Sequence, residues 1–588
     1  MSGIKTTSRI AAISLAFVAG LLAMTPGLAV AQSGTWTSTG NGTWSTTSNW
    51  LNGTVASGAD NTASFTGATL AATRTISLNG DKTIGYLRFD PNSAAYHTLR
   101  MGTSGSLTLD TTLSGSIPGI DVAATRTAVI TAAVAGTKGF VKTGDGTLYL
   151  GGANTYSGTT TVSVGTLEAK TADALGAVGT GIGTVVADGG RLRIGANVTI
   201  NESIEINGAG TAAAPNTGAL NFGSSDTVTF PTLATMAGLV TLASDASIGV
   251  GSGAAGFMTR SGAADAIQTN GFKLTIAASG TLTVNSPIAG TGGALAHGGS
   301  GVVTLTAANT YTGTTAITGN GSLRLGAGGA DGSLSTNSAI SMAAAQSTFV
   351  VDQSDTVTQG VDFSGAAITA SVGGPGIGKF IQAGSGTTIL NAANSYRGAT
   401  SVDLGTLLIN GNQSAADGAV TVASGATLGG SGTTGGAVSI LGGAIVAPGS
   451  GVGTLTVSNA FTLANSSILN FQLNPLDNTV GGGINDLITG VSNLTLDGVL
   501  NVSGAGDWTS VADFTTWRLF NYTPGTLTDN LLALGTMPTL GSGQSFQIDT
   551  STSGQVNLIV VPEPSALVLL SGLGVIGFFA RRQRGDRG

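Results

Sequence analysis

No cysteine occurs in the 588-residue chain, so disulfides, thiolate metal sites and cysteine nucleophiles are excluded at the outset. Histidine is nearly absent. His97 and His297 stand far apart in sequence, too few for an imidazole metal cluster, and each reads as a solvated or hydrogen-bonded loop residue. Charge is scarce as well: Asp, Glu, Lys and Arg make up 9% of the chain, with 22 basic against 29 acidic residues and a net charge of −7. No basic stripe runs along the body, which argues against nucleic-acid binding through phosphate neutralisation. Between the two ends no extended 3.6-residue apolar period appears, so long helices are not encoded. The low charge does not imply disorder, because a hydrophobic fraction of 41% provides burial to offset ordering entropy.

What the chain has in abundance is glycine, 95 residues. Without a strict three-residue period this is not collagen. It fits many short strands joined by tight turns, since glycine accepts positive φ without a Cβ clash.

Three segments superpose by eye. They run from Gly144-Asp145-Gly146 to Ala153-Asn154-Thr155-Tyr156-Ser157-Gly158, from Gly299-Ser300-Gly301 to Ala308-Asn309-Thr310-Tyr311-Thr312-Gly313, and from Gly384-Ser385-Gly386 to Ala393-Asn394-Ser395-Tyr396-Arg397-Gly398. Leu150, Leu305 and Leu390 precede the Asn at one common offset, and Val162, Ile317 and Val402 follow at another. This internal repeat decides the architecture. Around Leu148 and Leu150 apolar residues alternate with Thr or Tyr, the period of a half-buried strand. Ala-Asn-Thr/Ser-Tyr-x-Gly supplies a turn in which Asn and Gly tolerate left-handed backbone and the Asn amide bonds nearby backbone. A second alternating stretch follows, with Val162 and Val164 in the first copy and Val402 and Leu404 in the third; the middle copy departs, with Gly319 at the second position. Burying four aliphatic side chains falls short of the entropy of ordering about twenty residues, so the units must stack.

These segments resemble autotransporter-associated β-strand repeats, found in passenger domains that form right-handed parallel β-helices. The resemblance covers 138–169, 293–326 and 378–411. It implies an all-β chain folded as a right-handed parallel β-helix (β-solenoid), with about twenty residues per coil and a rod on the order of 100 Å. Intervening stretches such as Gly183 to Ile194 read as degenerate rungs, and Val420 to Leu455 as late ones. Trp36, Trp44 and Trp50 mark an N-terminal cap, with carbohydrate-binding rings as the alternative; Trp508, Phe514, Trp517, Phe520 and Tyr522 mark a C-terminal cap. Only that cap and a helix follow the last rungs, where an autotransporter would carry a membrane β-barrel, so a passenger without its translocator is expected.

Both ends carry targeting patterns. Lys5 and Arg9, then the apolar run Ile10 to Met24, then Pro26-Gly27 and Ala29-Val30-Ala31 form a secretory signal with small residues Ala29 and Ala31 at the cleavage site before Gln32. An uncleaved anchor is the alternative. At the other end Val561-Pro562-Glu563-Pro564 precedes the uncharged stretch Ser565 to Ala580 and then Arg581, Arg582, Arg584 and Arg587. As a helix that stretch spans ~24 Å, short of a ~30 Å hydrocarbon core but workable for a tilted or transient single transmembrane helix. The arginines orient the C-terminus to the cytoplasm. This order resembles the PEP-CTERM sorting signal of Gram-negative bacteria. The resemblance implies processing by an exosortase-type enzyme at or near Pro562, Glu563 and Pro564, and release towards the cell surface or matrix. An ordinary tail anchor is the alternative.

The division expected is therefore a signal peptide over 1–31, an N-terminal β cap over 32–125, the repeat β-helix over 126–470, a C-terminal β cap over 471–560, and the sorting signal over 561–588. Partners are signal peptidase and the secretion machinery, the exosortase-type enzyme, the membrane through the C-terminal helix, and exopolysaccharide as a candidate ligand. No cofactor or metal is expected. Gly481-Gly482-Gly483-Ile484-Asn485-Asp486 only faintly matches a calcium-binding nonapeptide and reads as a turn with a solvated Asp. Ice binding would need a threonine ladder on every rung, whereas Thr-x-Thr units such as Thr281-Leu282-Thr283 and Thr304-Leu305-Thr306 recur irregularly. Acidic residues are thinly spread, and Asp145 aligns with Ser300 and Ser385, so no enzyme is expected. The function expected is an exported structural or adhesive β-solenoid, the alternative a carbohydrate-binding or polysaccharide-cleaving β-helix.

Overall fold

Short extended segments dominate wherever apolar and hydroxyl residues alternate. Thr147–Leu150 turns Leu148 and Leu150 fully inward while Thr147 and Tyr149 face outward. In the body of the chain such a segment pairs across coils, not with the strand next to it in sequence. Leu148 lies opposite Leu167, which lies in turn opposite Leu192, Leu220, Ile248 and Ile276, one residue from each successive coil. Backbone bonds between coils fix this register, for example Lys170 N to Leu150 O at 2.9 Å. The computed structural model describes residues 31–563 except 67–72, 91–97, 103, 180–182, 212–217, 224–231, 263, 371–373 and 375. Among the described residues the strands form sheets of 26, 14, 8 and 7 members, paired in parallel except at the C-terminal end. The chain is an all-β parallel solenoid with one continuous apolar interior. Among the described residues no helix is long and apolar enough to cross a membrane.

Each repeat contributes two stacked strand pairs. In the first copy Phe140–Thr143 pairs with Thr160–Val162, and Thr147–Leu150 pairs with Gly165–Ala169. The second and third copies repeat the pattern with Ala294–His297 on Thr315–Ile317 and Val302–Leu305 on Ser322–Leu325, then Lys379–Gln382 on Thr400–Val402 and Thr387–Leu390 on Thr406–Ile409. The expected strand–turn–strand, Thr147–Leu150 then Thr160–Val162 in the first copy, is thus the middle of a self-pairing piece of about one and a half coils. The expected second strand is also shorter than its alternation suggested. It ends at Val162 and Val402; Val164 is half-exposed and Leu404 is 47% exposed, because the chain turns a corner there. Gly319 therefore occupies a corner, and its difference from Val164 and Leu404 costs the core nothing.

Coil length varies. Equivalent turn contacts span 20, 21 and 26 residues in the three copies, so the expected twenty is close to the minimum. At the N-terminal end Trp36, Trp44 and Trp50 are all buried, with centroids 5.3 and 5.1 Å apart around Trp50, over Phe65. Their indole N–H groups donate to the carbonyls of Ser38, Ala56 and Trp44. They plug the first coil and are not displayed to a ligand. At the other end Gln544–Asp549 and Gln555–Pro562 form an antiparallel hairpin against Thr516–Tyr522. Trp508 and Trp517 pack beneath it at 5.2 Å, whereas Phe514, expected in the same cluster, is 65% exposed.

Candidate functional site

The sorting residues begin where the fold ends. Pro562 is the last residue of the terminal strand, opposite Gln544, and the Glu563 N–H donates to Gly543 O at 2.7 Å. Both side chains are exposed. The motif's first two residues thus lie in the cap hairpin rather than in a free linker. Ala31 is exposed at the opposite end. Ala29, Pro564, the stretch 565–580, and Arg581, Arg582 and Arg584 lie outside the described residues, as does His97.

The repeat's marker residues hold coil to coil. Asn154, Asn309 and Asn394 are buried, and their Oδ1 atoms accept the backbone N–H of Val134, Ile288 and Ile368 on the preceding coil at 2.7–3.0 Å. None has a positive φ. The expected local turn bond is present in the second copy, where Asn309 Nδ2 donates to Ala307 O at 2.8 Å, and all three copies add an inter-coil one, since a corner stacked on another corner leaves that N–H without a strand partner. Tyr156, Tyr311 and Tyr396 are buried beside them, each sharing a hydroxyl hydrogen bond with Thr160, Thr315 or Thr400 at 2.7–2.8 Å. Burial raises the pKa of all three phenols, that of Tyr311 and Tyr396 to about 12. These threonines also recur at one offset in sequence, a signal the sequence reading left unused.

The Gly-x-Gly corners explain most of the repeat glycines by proximity. A Cβ on Gly301 would collide with the carbonyl of Gly280, and one on Gly386 with that of Asp355. Beneath each corner sits a buried polar side chain at the same repeat position. Lys142 Nζ donates to the carbonyls of Thr143, Gly144 and Val164; both ring nitrogens of His297 face carbonyls, those of Gly301 at 3.1 Å and Ile276 at 3.2 Å; Gln382 Nε2 donates to Gly384 O at 2.7 Å. His297 is thus a fully buried strand residue in the column of Ile276 and Ile317, not a loop residue. Burial lowers the Lys142 ammonium to about 8, against the opposing pull of Asp121 and Asp145.

The carboxylates serve structure. Asp486, expected to be solvated, is buried, accepting the Gly453 N–H at 2.7 Å and the Gln472 N–H at 2.6 Å; burial pushes its pKa up to about 7. Glu202 is likewise raised to about 7 by burial, with the Thr184 hydroxyl donating to it. Glu168 pairs with Lys170 at 2.5 Å and Arg193 at 3.1 Å. Among the described residues no group of three or more His, Cys, Asp or Glu is placed to hold a metal ion.

Outward-facing hydroxyls, irregular in sequence, fall into register. Ser401, Thr421, Ser439, Thr462, Thr495 and Thr528 lie opposite one another on six successive coils. Thr356, Thr387, Thr406 and Thr427 form a second column on the next face. Unequal coil lengths hid both columns in the sequence. Beside the second column Thr406, Thr427, Ala447, Ser450, Asn470, Gln472 and Ser503 line an open depression of about 300 Å³.

Comparison with known proteins agrees with this geometry. The passenger-associated-transport-repeat family model matches residues 140–169, 298–325 and 380–409, the three segments that pair with themselves. A model of the PEP-CTERM protein-sorting motif matches residues 560–584. Over 115 residues the chain is 44% identical to a protein named adhesin BmaC autotransporter, from Brucella suis biovar 1 (strain 1330); that stretch is 19% of this chain and 3% of the relative. The chain thus matches a small fraction of that protein's length.

Proposed function

We propose that this chain is an exported, non-enzymatic solenoid of the cell surface or extracellular matrix of a Gram-negative bacterium, adhesive or structural in role. One observation carries the reading: three passenger repeats and a C-terminal sorting motif occur in one chain, each at the end or in the body where its role requires it. The adhesin relative supports an adhesive role, by analogy over the matched stretch alone. In this reading the signal peptide directs export, 565–580 anchors the precursor transiently in the inner membrane, and an exosortase-type enzyme processes the chain near Pro562, Glu563 and Pro564. Exopolysaccharide of the matrix is the partner proposed. The absence of catalysis is supported by Asp486 and Glu168, which are committed to backbone donors and to ion pairs respectively, and by Glu202, which is buried and bonded to the Thr184 hydroxyl.

Fractionation of cells with and without the processing enzyme, with mass spectrometry of the C-terminus, tests the sorting route. A trimmed protein at the surface only when the enzyme is present is expected. An intact tail in the inner membrane of both strains would refute it. Incubation with uronate polysaccharides should release no unsaturated or reducing ends; their appearance would make the protein an enzyme.

A further inference from the structure

From Gly418 to Leu476 the chain carries no Asp, Glu, Lys or Arg. In a water-exposed protein a surface band without charge is unusual, and here it covers the middle of the first hydroxyl column, Thr421, Ser439 and Thr462. Ala419, Ala437 and Ala460 flank that column on one side and Ala423, the exposed Leu441 and Ala464 on the other. The result is a neutral face with hydroxyls repeating at the coil spacing of about 4.8 Å. The hydroxyls of Thr421, Ser439, Thr462 and Thr495 make no hydrogen bond among the described residues, so their donors and acceptors are free for a ligand. On the neighbouring face the depression adds the amides of Asn470 and Gln472 and the hydroxyls of Thr406, Thr427, Ser450 and Ser503. The one carboxylate beside it, Asp486, has both oxygens occupied by backbone N–H groups.

We propose that this uncharged belt binds a neutral, hydroxyl-rich polysaccharide lying along the solenoid axis. The proposal rests on the matrix role argued above and names the partner and the face. A protein partner fits less well. Interface hot spots draw on aromatic and arginine side chains, yet both aromatic residues of the belt, Phe461 and Phe471, are buried and it has no arginine. A uronate or sulfated glycan would find no cation there. A neutral polymer instead meets a series of equivalent weak donors and acceptors, and its affinity grows by repetition along the axis.

The test uses the mature full-length protein with linear neutral β-glucans of increasing length, and a polyuronate of similar length as the charged counterpart. Retention that rises with glucan length, is insensitive to salt and is absent for the polyuronate is expected. Thr421→Lys combined with Thr462→Lys should weaken glucan binding at least about tenfold, because avidity multiplies the loss of each contact. The same column already carries Arg324 opposite Thr304, so the fold accepts a long cation there. Thr283→Lys, on an earlier coil, should leave binding unchanged. Failure to retain any neutral glucan, or equal binding by the double variant, would overturn the proposal. Surface localisation of the unaltered protein separates the outcomes: a protein that reaches the surface but binds no glucan sinks this inference alone, whereas one that never reaches it sinks the broader reading.

Discussion

At the residue scale the strongest constraint is the nearness of one coil's backbone to the next. Gly301 carries no side chain because the Gly280 carbonyl already occupies that space. Gly301→Ala should therefore destabilise the protein by about 2–4 kcal/mol in urea unfolding, through forced backbone displacement. Gly251→Ala, where a Cβ would meet no atom, should shift the midpoint little. The polar residue beneath each corner gives a second prediction. Lys142 is held well below an ordinary lysine by burial, at about 8 against 10.5. Between those two values the unfolded chain keeps a proton that the folded chain has lost, so stability from this group rises with pH across that window. Lys142→Gln copies the residue at the same position of the third repeat, Gln382, which reaches the corner carbonyls without a charge. It should raise stability at pH 7 by roughly 1–3 kcal/mol and flatten the rise between pH 8 and 10.5, as measured by urea midpoints across pH.

At the scale of the repeat, the Asn and Tyr positions act between coils. Asn394 accepts the Ile368 N–H at 2.7 Å and exchanges two hydrogen bonds with Gln359. Asn394→Ala would leave that N–H buried without a partner and strip two bonds from the Gln359 amide, which keeps Ala366 O and Ala392 N, at a cost of about 2–4 kcal/mol, whereas Tyr396→Phe removes one hydroxyl beside Thr400 and should cost about 1 kcal/mol. Hydrogen exchange would locate the loss: faster exchange of Ile368 and its neighbours in the alanine variant is expected, and uniform exchange would show that the Asn does not tie the coils. Sequence periodicity exposed these Asn and Tyr positions because each repeat copy keeps the same offsets within one corner. It could not give their partners. Those lie on the previous coil, at separations that change from 20 to 26 residues with the loops between. The same variation concealed the hydroxyl columns, and the buried Lys142, His297 and Gln382 share no chemistry beyond a donor, so no residue identity flagged their common position. The fold class was legible because strand alternation and corner glycines are local; register was not, because it is the sum of many loop lengths.

At the scale of the whole molecule, the three buried tyrosines spread along the solenoid make alkaline unfolding a global readout. The phenols of Tyr311 and Tyr396 are held at about 12, against 10.0 for the free group. Above pH 10 the unfolded chain sheds these protons first, so stability falls as pH rises further, and tyrosinate absorbance from these residues should appear only as the coils separate. The two ends matter in a different way. The N-terminal plug closes the solenoid, while the C-terminal hairpin both closes it and holds the first residues of the sorting motif, with Pro562 opposite Gln544 and Glu563 bonded to Gly543. No spacer separates the folded body from the segment proposed to enter the membrane, so a processing enzyme that binds its substrate extended must compete with the hairpin. Inserting a flexible Gly/Ser spacer between Val561 and Pro562 should therefore speed C-terminal trimming, followed by pulse–chase and mass spectrometry of the mature end. An unchanged or slower rate would mean that the cap does not limit access and that the enzyme reads the motif beyond Glu563.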